Sequence, residues 1–136
     1  MIYLDNSATT KPCSDAVEAI TKALTEGWAN PSALYSFGID AAHVLRDARV
    51  AVAKAMGAEP DRIFFTSGGT EADNWAIFST IKRYGRRNKH IITTAVEHHA
   101  ILRCMNELEH QGYEITYLQP DELGNISIEA LKAALR

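Results

Sequence analysis

"HIITTAVEHHAILRCMNELEHQGYEITYL", residues 90–118, decides the fold class because two apolar runs flank one helical stretch. "HIITTA" and "EITYLQ", which begin at His90 and Glu114, are rich in the β-branched and aromatic residues that favour strands. Residues 99–111 between them predict a helix that ends at Gly112. A helical crossover joins parallel strands through a right-handed connection. The stretch therefore predicts an α/β fold, with a parallel sheet of βαβ units and flanking helices.

The helix of this stretch carries one apolar face. Its members recur at helical spacing and are Ile101, Cys104, Met105 and Leu108. We expect this face to lie in the core, so Cys104 is expected to pack rather than to react.

The alternation of strand and helix extends to both sides of the stretch. "RIFFT" at 62–66 predicts a first strand. Residues 71–84 predict a helix whose inward-facing residues are Ile77, Ile81 and Tyr84. "SIEALKAALR", from Ser127 onward, predicts the beginning of another helix.

Two more helices are predicted nearer the N-terminus. The first covers 14–26, where Gly27 is its stop. A loop, "ANPSALYSFG" at 29–38, separates it from a long helix over 39–56 that Gly57 ends. The inner stripe of the long helix is predicted to be Leu45, Ala48, Val52 and Met56.

The composition is that of an ordinary globular protein. The 136 residues are 46% hydrophobic and 23% charged, and 14 Lys and Arg against 17 Asp and Glu give a net charge of −3. We expect one domain, with no nucleic-acid partner and no membrane segment, in the cytoplasm. The one basic cluster, "KRYGRRNKH" at 82–90, is interpreted as a solvated connection rather than an anion-binding patch.

The two cysteines, Cys13 and Cys104, are too few for a disulfide framework and have no metal-ligand spacing. No metal site is expected. Cys13 lies just before a helix start, where a thiolate is favoured, but the sequence assigns it no role.

"SGGTE" at 67–71 follows a predicted strand and opens a predicted helix. The orphan N–H groups and helix dipole of such a turn suit a phosphate at Gly69 and Thr70. Thr70 as a helix cap, with Asp73 as its capping-box-like partner, is an equally good interpretation. The turn matches neither the P-loop nor the GxGxxG fingerprint.

"VEHHA" at 96–100 leaves the end of the next strand. If the two strands are neighbours, a phosphate on Gly69 and Thr70 lies near His98 or His99, since ligands bind at the carboxyl ends of parallel strands. Adjacent side chains diverge, so the two histidines do not form a metal pair. A purely structural histidine is the alternative.

Five ordered segments together resemble the N-terminal part of a cysteine desulfurase. They are "YLDNSATT" at 3–10, "NPSALYSFG" at 30–38, "FFTSGGTEADNWAI" at 64–77, "HIITTAVEHHAI" at 90–101 and "GYEITYL" at 112–118. Cysteine desulfurases are class V aminotransferases, pyridoxal-phosphate enzymes with the aspartate aminotransferase fold. The resemblance implies that 1–136 is the N-terminal part of the transferase domain. Residues 1–38 would form an N-terminal segment with an active-site-mouth loop, and 39–136 the start of the cofactor-binding α/β domain.

The resemblance also implies site residues. Gly69 and Thr70 match the turn that holds the cofactor phosphate. His98 matches the histidine that stacks on the pyridine ring and helps with proton transfers, while His99 matches a position without a catalytic role. Tyr35 stands where many relatives have histidine, which leaves the subgroup open.

The implied reaction is pyridoxal-phosphate-dependent removal of sulfur from L-cysteine. It yields alanine and an enzyme persulfide for iron–sulfur cluster or thiocofactor assembly, in a homodimer that can serve a sulfur-acceptor or scaffold protein. The family's Schiff-base lysine and sulfur-accepting cysteine match no position here, so we expect residues 1–136 alone to be inactive. The alternatives are a non-catalytic remnant or pairing module, a selenocysteine lyase, and another class V aminotransferase.

Overall fold

The computed structural model describes residues 2–85 and 89–136, which form two compact units, Met1–Phe64 and Phe65–Arg136. The middle of the predicted basic connection, 86–88, lies outside the described residues. Across the described chain, no helix is both long and apolar enough to cross a bilayer.

The first unit is helical. Helix α1 is Ser14–Thr25, helix α2 is Ser36–Met56, and a 3-10 helix follows at Pro60–Arg62. Both predicted helices are confirmed, although α2 begins inside the predicted loop. Gly57 follows α2 with a φ of 64°, the left-handed conformation in which glycine commonly ends a helix.

The predicted inner stripe of α2 is wrong. Leu45, Val52 and Met56 are 39%, 36% and 71% exposed. The buried residues of the helix are instead the small ones, Gly38, Ala41 and Ala53. A Cβ on Gly38 would lie 2.5 Å from the Ala33 carbonyl oxygen. Small residues therefore allow close backbone packing here, which a search for large apolar residues does not detect.

The strand predicted at "RIFFT" is also not observed. The 3-10 helix includes Arg62, and Ile63 is extended with φ −96° and ψ 123°. The sheet in the described residues contains other strands and not this segment. Apolar and β-branched content favours an extended backbone, as at Ile63, but composition alone does not place a segment in a sheet.

The second unit is the predicted α/β unit. Helix α3 is Gly69–Tyr84, strand β1 is His90–Thr94, helix α4 is His99–His110, strand β2 is Glu114–Leu118, and helix α5 is Ile128–Ala134. The two strands are parallel, with His90 opposite Glu114 and Thr94 opposite Leu118. The α/β fold class and the helical crossover are confirmed.

The core of the second unit is the predicted face of α4. Cys104, Met105 and Leu108 are 2%, 3% and 0% exposed. Partly buried residues of α3 and both strands pack around them, among them Ile77, Ile81, Ile91 and Ile115. Tyr84, the last residue of α3, was predicted to face inward but is 61% exposed.

Candidate functional site

Three contacts orient α3 and α4. The Tyr113 N–H donates to the Leu108 carbonyl oxygen at 3.0 Å, so α4 ends beside the start of β2. A Cβ on Gly85 would lie 2.5 Å from the Tyr113 hydroxyl, so α3 ends at the same place. Nearer the helix starts, the Cys104 thiol lies 3.2 Å from the Asn74 Oδ1. The two helices therefore run side by side in one direction, antiparallel to the strands.

Both helix N-termini consequently lie toward the carboxyl edge of the sheet. Gly69 and Thr70 occupy the first turn of α3, and His98 directly precedes α4. This is the edge where open parallel sheets bind ligands. The two motifs lie toward the same edge because their helices are neighbours, and not because two adjacent strands lead into them as the sequence suggested.

The start of α3 does not support Thr70 as its cap. Gly68 occupies the cap position without a side-chain bond, and the helix begins at Gly69. The first intrahelical bond runs from the Ala72 N–H to the Gly68 carbonyl oxygen at 3.1 Å. The N–H groups of Gly69, Thr70 and Glu71 precede it, so the helix itself offers them no acceptor.

Glu71 closes the turn on its outer side. Its Oε2 accepts from the Ser67 N–H at 2.7 Å and from the Ser67 hydroxyl at 2.6 Å. Both bonds lower the pKa of the Glu71 carboxyl, and the bond from the Ser67 hydroxyl has the larger effect. The carboxylate is thereby tied to Ser67, away from the N–H groups of the first turn.

The two glycines of the turn are not required by the fold. Gly68 has φ 165°, which is extended backbone, and Gly69 is helical. A Cβ on either would meet nothing within 4 Å in the part of the chain that the structure describes. Neither backbone conformation nor crowding requires glycine at these two positions. Glycine here leaves the N–H groups of the first turn uncovered by a side chain.

His98 is the N-cap of α4. Its Nδ1 accepts from the Ala100 N–H at 3.1 Å, which uses that nitrogen as an acceptor. A neutral ring in this geometry carries its proton on Nε2, and the ring is exposed. The His99 ring lies 6.0 Å away, tilted by 49°, on the first residue of α4.

The sequence analysis missed two carboxylates at this edge, Glu71 and Glu97. Glu97 precedes His98 and accepts from the Thr94 hydroxyl at 2.7 Å. The sequence does contain a signal for both turns, which is a hydroxyl residue shortly before each glutamate. A serine stands four residues before Glu71, and a threonine stands three residues before Glu97.

Neither cysteine is assigned to this site. Burial, with a contribution from the Asp73 carboxylate, raises the pKa of the Cys104 thiol, which also lies 3.0 Å from the Ala100 carbonyl oxygen. A reactive thiolate is therefore disfavoured at Cys104. Cys13 is exposed at the N-cap of α1. The described residues contain no group of three metal-ligating side chains.

A cavity of about 760 Å³ lies between α3, α4 and the strands, and its lining is mainly aliphatic. None of Gly69, Thr70 and His98 lines it. We therefore locate the candidate site at the exposed helix starts and not in this cavity.

The groups at the helix starts have the chemistry to bind a phosphate and an aromatic ring. Three N–H donors and the Thr70 hydroxyl suit the oxygens of a phosphate, which the dipole of α3 also favours. The exposed imidazole of His98 offers a planar face to a ring and an Nε2–H donor. Pyridoxal phosphate has both parts.

Comparison with known proteins identifies relatives along almost the whole chain. The family model described as "Aminotransferase class-V" matches residues 2–136. The "Cysteine desulfurase IscS" of Methanosarcina thermophila is 46% identical over 135 residues, which are 99% of this chain and 33% of that protein. The chain therefore spans about a third of the length of the curated relatives it matches.

Solved structures share the fold as well as the sequence. A "NIFS-LIKE PROTEIN" is 34% identical with a TM-score of 0.91, and the match covers 98% of this chain and 37% of that one. The structure described as "SspA in complex with cysteine" is 32% identical with a TM-score of 0.88, over 98% of this chain and 39% of that one.

Proposed function

The chain belongs to the aminotransferase class-V family, whose model matches residues 2–136, and we propose that it supplies the cofactor-phosphate anchor and ring-facing histidine of a cysteine desulfurase. The resemblance seen in five segments of the sequence is confirmed at the level of the family. The observation that carries the proposal is the first turn of α3, whose N–H groups are open beside two glycines that the fold does not require. Residues 1–38 are the N-terminal segment of the enzyme, and 39–136 begin its cofactor-binding domain.

The phosphate of pyridoxal phosphate binds at the start of α3. The N–H groups of Gly69 and Thr70 and the Thr70 hydroxyl donate to its oxygens. The Glu71 carboxylate is bonded to the two donors of Ser67, so Oε2 does not occupy the N–H groups that would bind the phosphate. Charge-assisted bonds of this kind contribute about 1.5–3 kcal/mol each.

The His98 imidazole would face the cofactor ring. Because Nδ1 accepts from the Ala100 N–H, the neutral ring carries its proton on Nε2, so Nε2–H would be its hydrogen-bond donor toward the substrate. His99 has no catalytic part, since it matches a position that the family does not use for catalysis. When bound, pyridoxal phosphate supplies an electron sink for the substrate.

The substrate is L-cysteine, as the names of the relatives suggest. An enzyme thiolate attacks the cysteine sulfur, and the Cβ–Sγ bond breaks with its electron pair left on the carbon fragment, so the thiolate becomes a persulfide. Protonation of Cβ then gives alanine. The complete enzyme is a homodimer that hands sulfur to an acceptor or scaffold protein for iron–sulfur cluster assembly. Neither cysteine here is the accepting thiolate, since Cys104 is buried and Cys13 matches no acceptor position.

The phosphate anchor is tested with pyridoxine 5′-phosphate, which has the phosphate and ring of the cofactor but no aldehyde to react with lysines. We expect the full chain to bind it more tightly than pyridoxine, which lacks the phosphate. Thr70→Val should weaken binding by about 10- to 100-fold, since one charge-assisted hydrogen bond is lost. Thr80→Val, the same change farther along α3, is the matched control and should bind like the unchanged protein.

The result that contradicts the anchor is equal binding of pyridoxine and its phosphate, or an equal effect of the two threonine variants. The substrate is tested separately, with the complete enzyme, by comparing release of sulfide from cysteine with release of selenide from selenocysteine. Preference for selenocysteine would overturn the assignment of the substrate but not of the anchor.

A further inference from the structure

The turn between β1 and α4 is closed by one side-chain hydrogen bond. Thr94 is the last residue of β1, and its hydroxyl donates to Oε1 of Glu97 at 2.7 Å. The next residue, Ala95, donates its N–H to the Leu118 carbonyl oxygen at 2.9 Å, which ties the beginning of the turn to β2. Residues 94–97 thus form a short loop that is bonded to β2 near its start and closed by the bond between Thr94 and Glu97.

The surroundings of Glu97 make this bond important. Glu97 is half-buried and lines the aliphatic cavity. A partly desolvated carboxylate needs donors, because burial of an unpaired polar group is costly. The Thr94 hydroxyl is such a donor, and it is available only while the turn keeps its present shape.

The far end of the turn is His98. The His98 carbonyl oxygen accepts from the Ile101 N–H at 2.9 Å, and its Nδ1 accepts from Ala100. The ring is therefore held against the first turn of α4 by a bond of 3.1 Å. Since Glu97 is the residue directly before His98, movement of Glu97 changes the backbone from which the ring projects.

We propose that Glu97, held by the Thr94 hydroxyl, is a positioning residue for His98. It keeps the His98 ring in its capping position, with Nδ1 as the acceptor and the proton on Nε2. The significance for catalysis rests on the proposed function, in which the Nε2–H of His98 is the hydrogen-bond donor toward the substrate. The positioning itself is a property of the protein without cofactor, so it can be tested even if the proposed function fails.

The test measures the ¹⁵N chemical shifts of the two His98 ring nitrogens in the full chain, at a pH where imidazole is neutral. These shifts report which of the two nitrogens carries the proton. The unchanged protein should show the Nε2-protonated tautomer, with the Ala100 amide protected from hydrogen exchange. Thr94→Val and Glu97→Ala should each shift the ring signals toward a mixture of tautomers. Exchange at Ala100 should rise by about tenfold, as expected for the loss of one hydrogen bond.

Two further variants distinguish a specific effect on the His98 ring from a general loss of stability. Thr94→Ser retains the hydroxyl and should restore the tautomer and the protection of Ala100. Thr93→Val changes the neighbouring threonine, whose side chain points to the other face of the strand, and should have no effect. Exchange at Leu108 in the core reports that each variant is folded.

The proposal is overturned if Thr94→Val leaves the His98 tautomer and the Ala100 exchange unchanged. It is equally overturned if Thr94→Ser behaves like Thr94→Val, or if Thr93→Val disturbs His98 as strongly. Failure of pyridoxine 5′-phosphate to bind would count against the proposed function and would leave these spectra unaffected.

Discussion

Gly69→Ala should make the protein more stable and weaken binding at the proposed phosphate site. Gly69 is the first residue of α3, it is exposed, and a Cβ there meets nothing within 4 Å among the described residues. Alanine is a better helix former than glycine because glycine loses more backbone entropy when it folds. The free energy of unfolding should therefore rise, by up to about 1 kcal/mol.

The effect on binding has the opposite sign. A methyl group on Gly69 would occupy the space through which a phosphate oxygen approaches the N–H groups of the first turn. Loss of one hydrogen bond to a charged group costs about 1.5–3 kcal/mol. The Kd for pyridoxine 5′-phosphate should therefore rise by about 10- to 100-fold.

Urea denaturation measures the stability, and fluorescence titration with pyridoxine 5′-phosphate measures the binding. Gly27→Ala is the matched control, since a Cβ there makes only an ordinary contact, 3.5 Å from the Ala23 carbonyl oxygen. It should leave binding unchanged. The reasoning is refuted if Gly69→Ala lowers stability, because the space around Gly69 would then not be open. Unchanged affinity would refute the phosphate anchor at this residue.

In the complete enzyme, His98→Ala should slow sulfide release from cysteine by about 100-fold, the usual scale of general acid–base help; a larger loss in His99→Ala would show that the wrong histidine was chosen. Leu108→Ala should lower the free energy of unfolding by about 2–5 kcal/mol, measured in urea, because Leu108 is 0% exposed. The pKa of the Glu71 carboxyl is lower in the folded protein than its ordinary value of 4.5. Its bonds to Ser67 therefore add fully to the free energy of unfolding above pH 4.5, and this contribution is lost as the pH falls through the folded-state pKa. Stability curves against pH should therefore be flatter below 4.5 for Glu71→Gln than for the unchanged protein. Residues 1–136 alone, with pyridoxal phosphate, cysteine and a reductant, should release no sulfide above a mock preparation, and catalytic release would contradict the assignment of the lysine and thiol to other parts of the enzyme.

The sequence by itself determined the crossover unit and the family. Local spacing of apolar residues predicts helix α4 and its buried face, and Gly112 predicts where the helix ends. Helices satisfy their backbone bonds within one segment, so periodicity and glycine stops identify them without knowledge of the rest of the fold. The five matching segments identified the family for the same reason, since they are properties of the chain.

The site geometry needed the tertiary structure. "RIFFT" has strand composition, but its environment and not its composition decides whether it pairs. Spacing likewise favoured the large residues of α2, whereas packing buried the small ones. Thr70 has the chemistry of a cap, yet Gly68 occupies that position and Glu71 bonds to Ser67.

His98 shows the same division between local and tertiary information. The motif indicated which residue to examine, but only the structure shows that Nδ1 accepts from Ala100 and that Thr94 holds Glu97. A sequence lists the side chains that can form hydrogen bonds, and most have several possible partners within a few residues. The backbone path through a turn decides which partner lies at bonding distance, and that path is set by the strand and helix packed on either side.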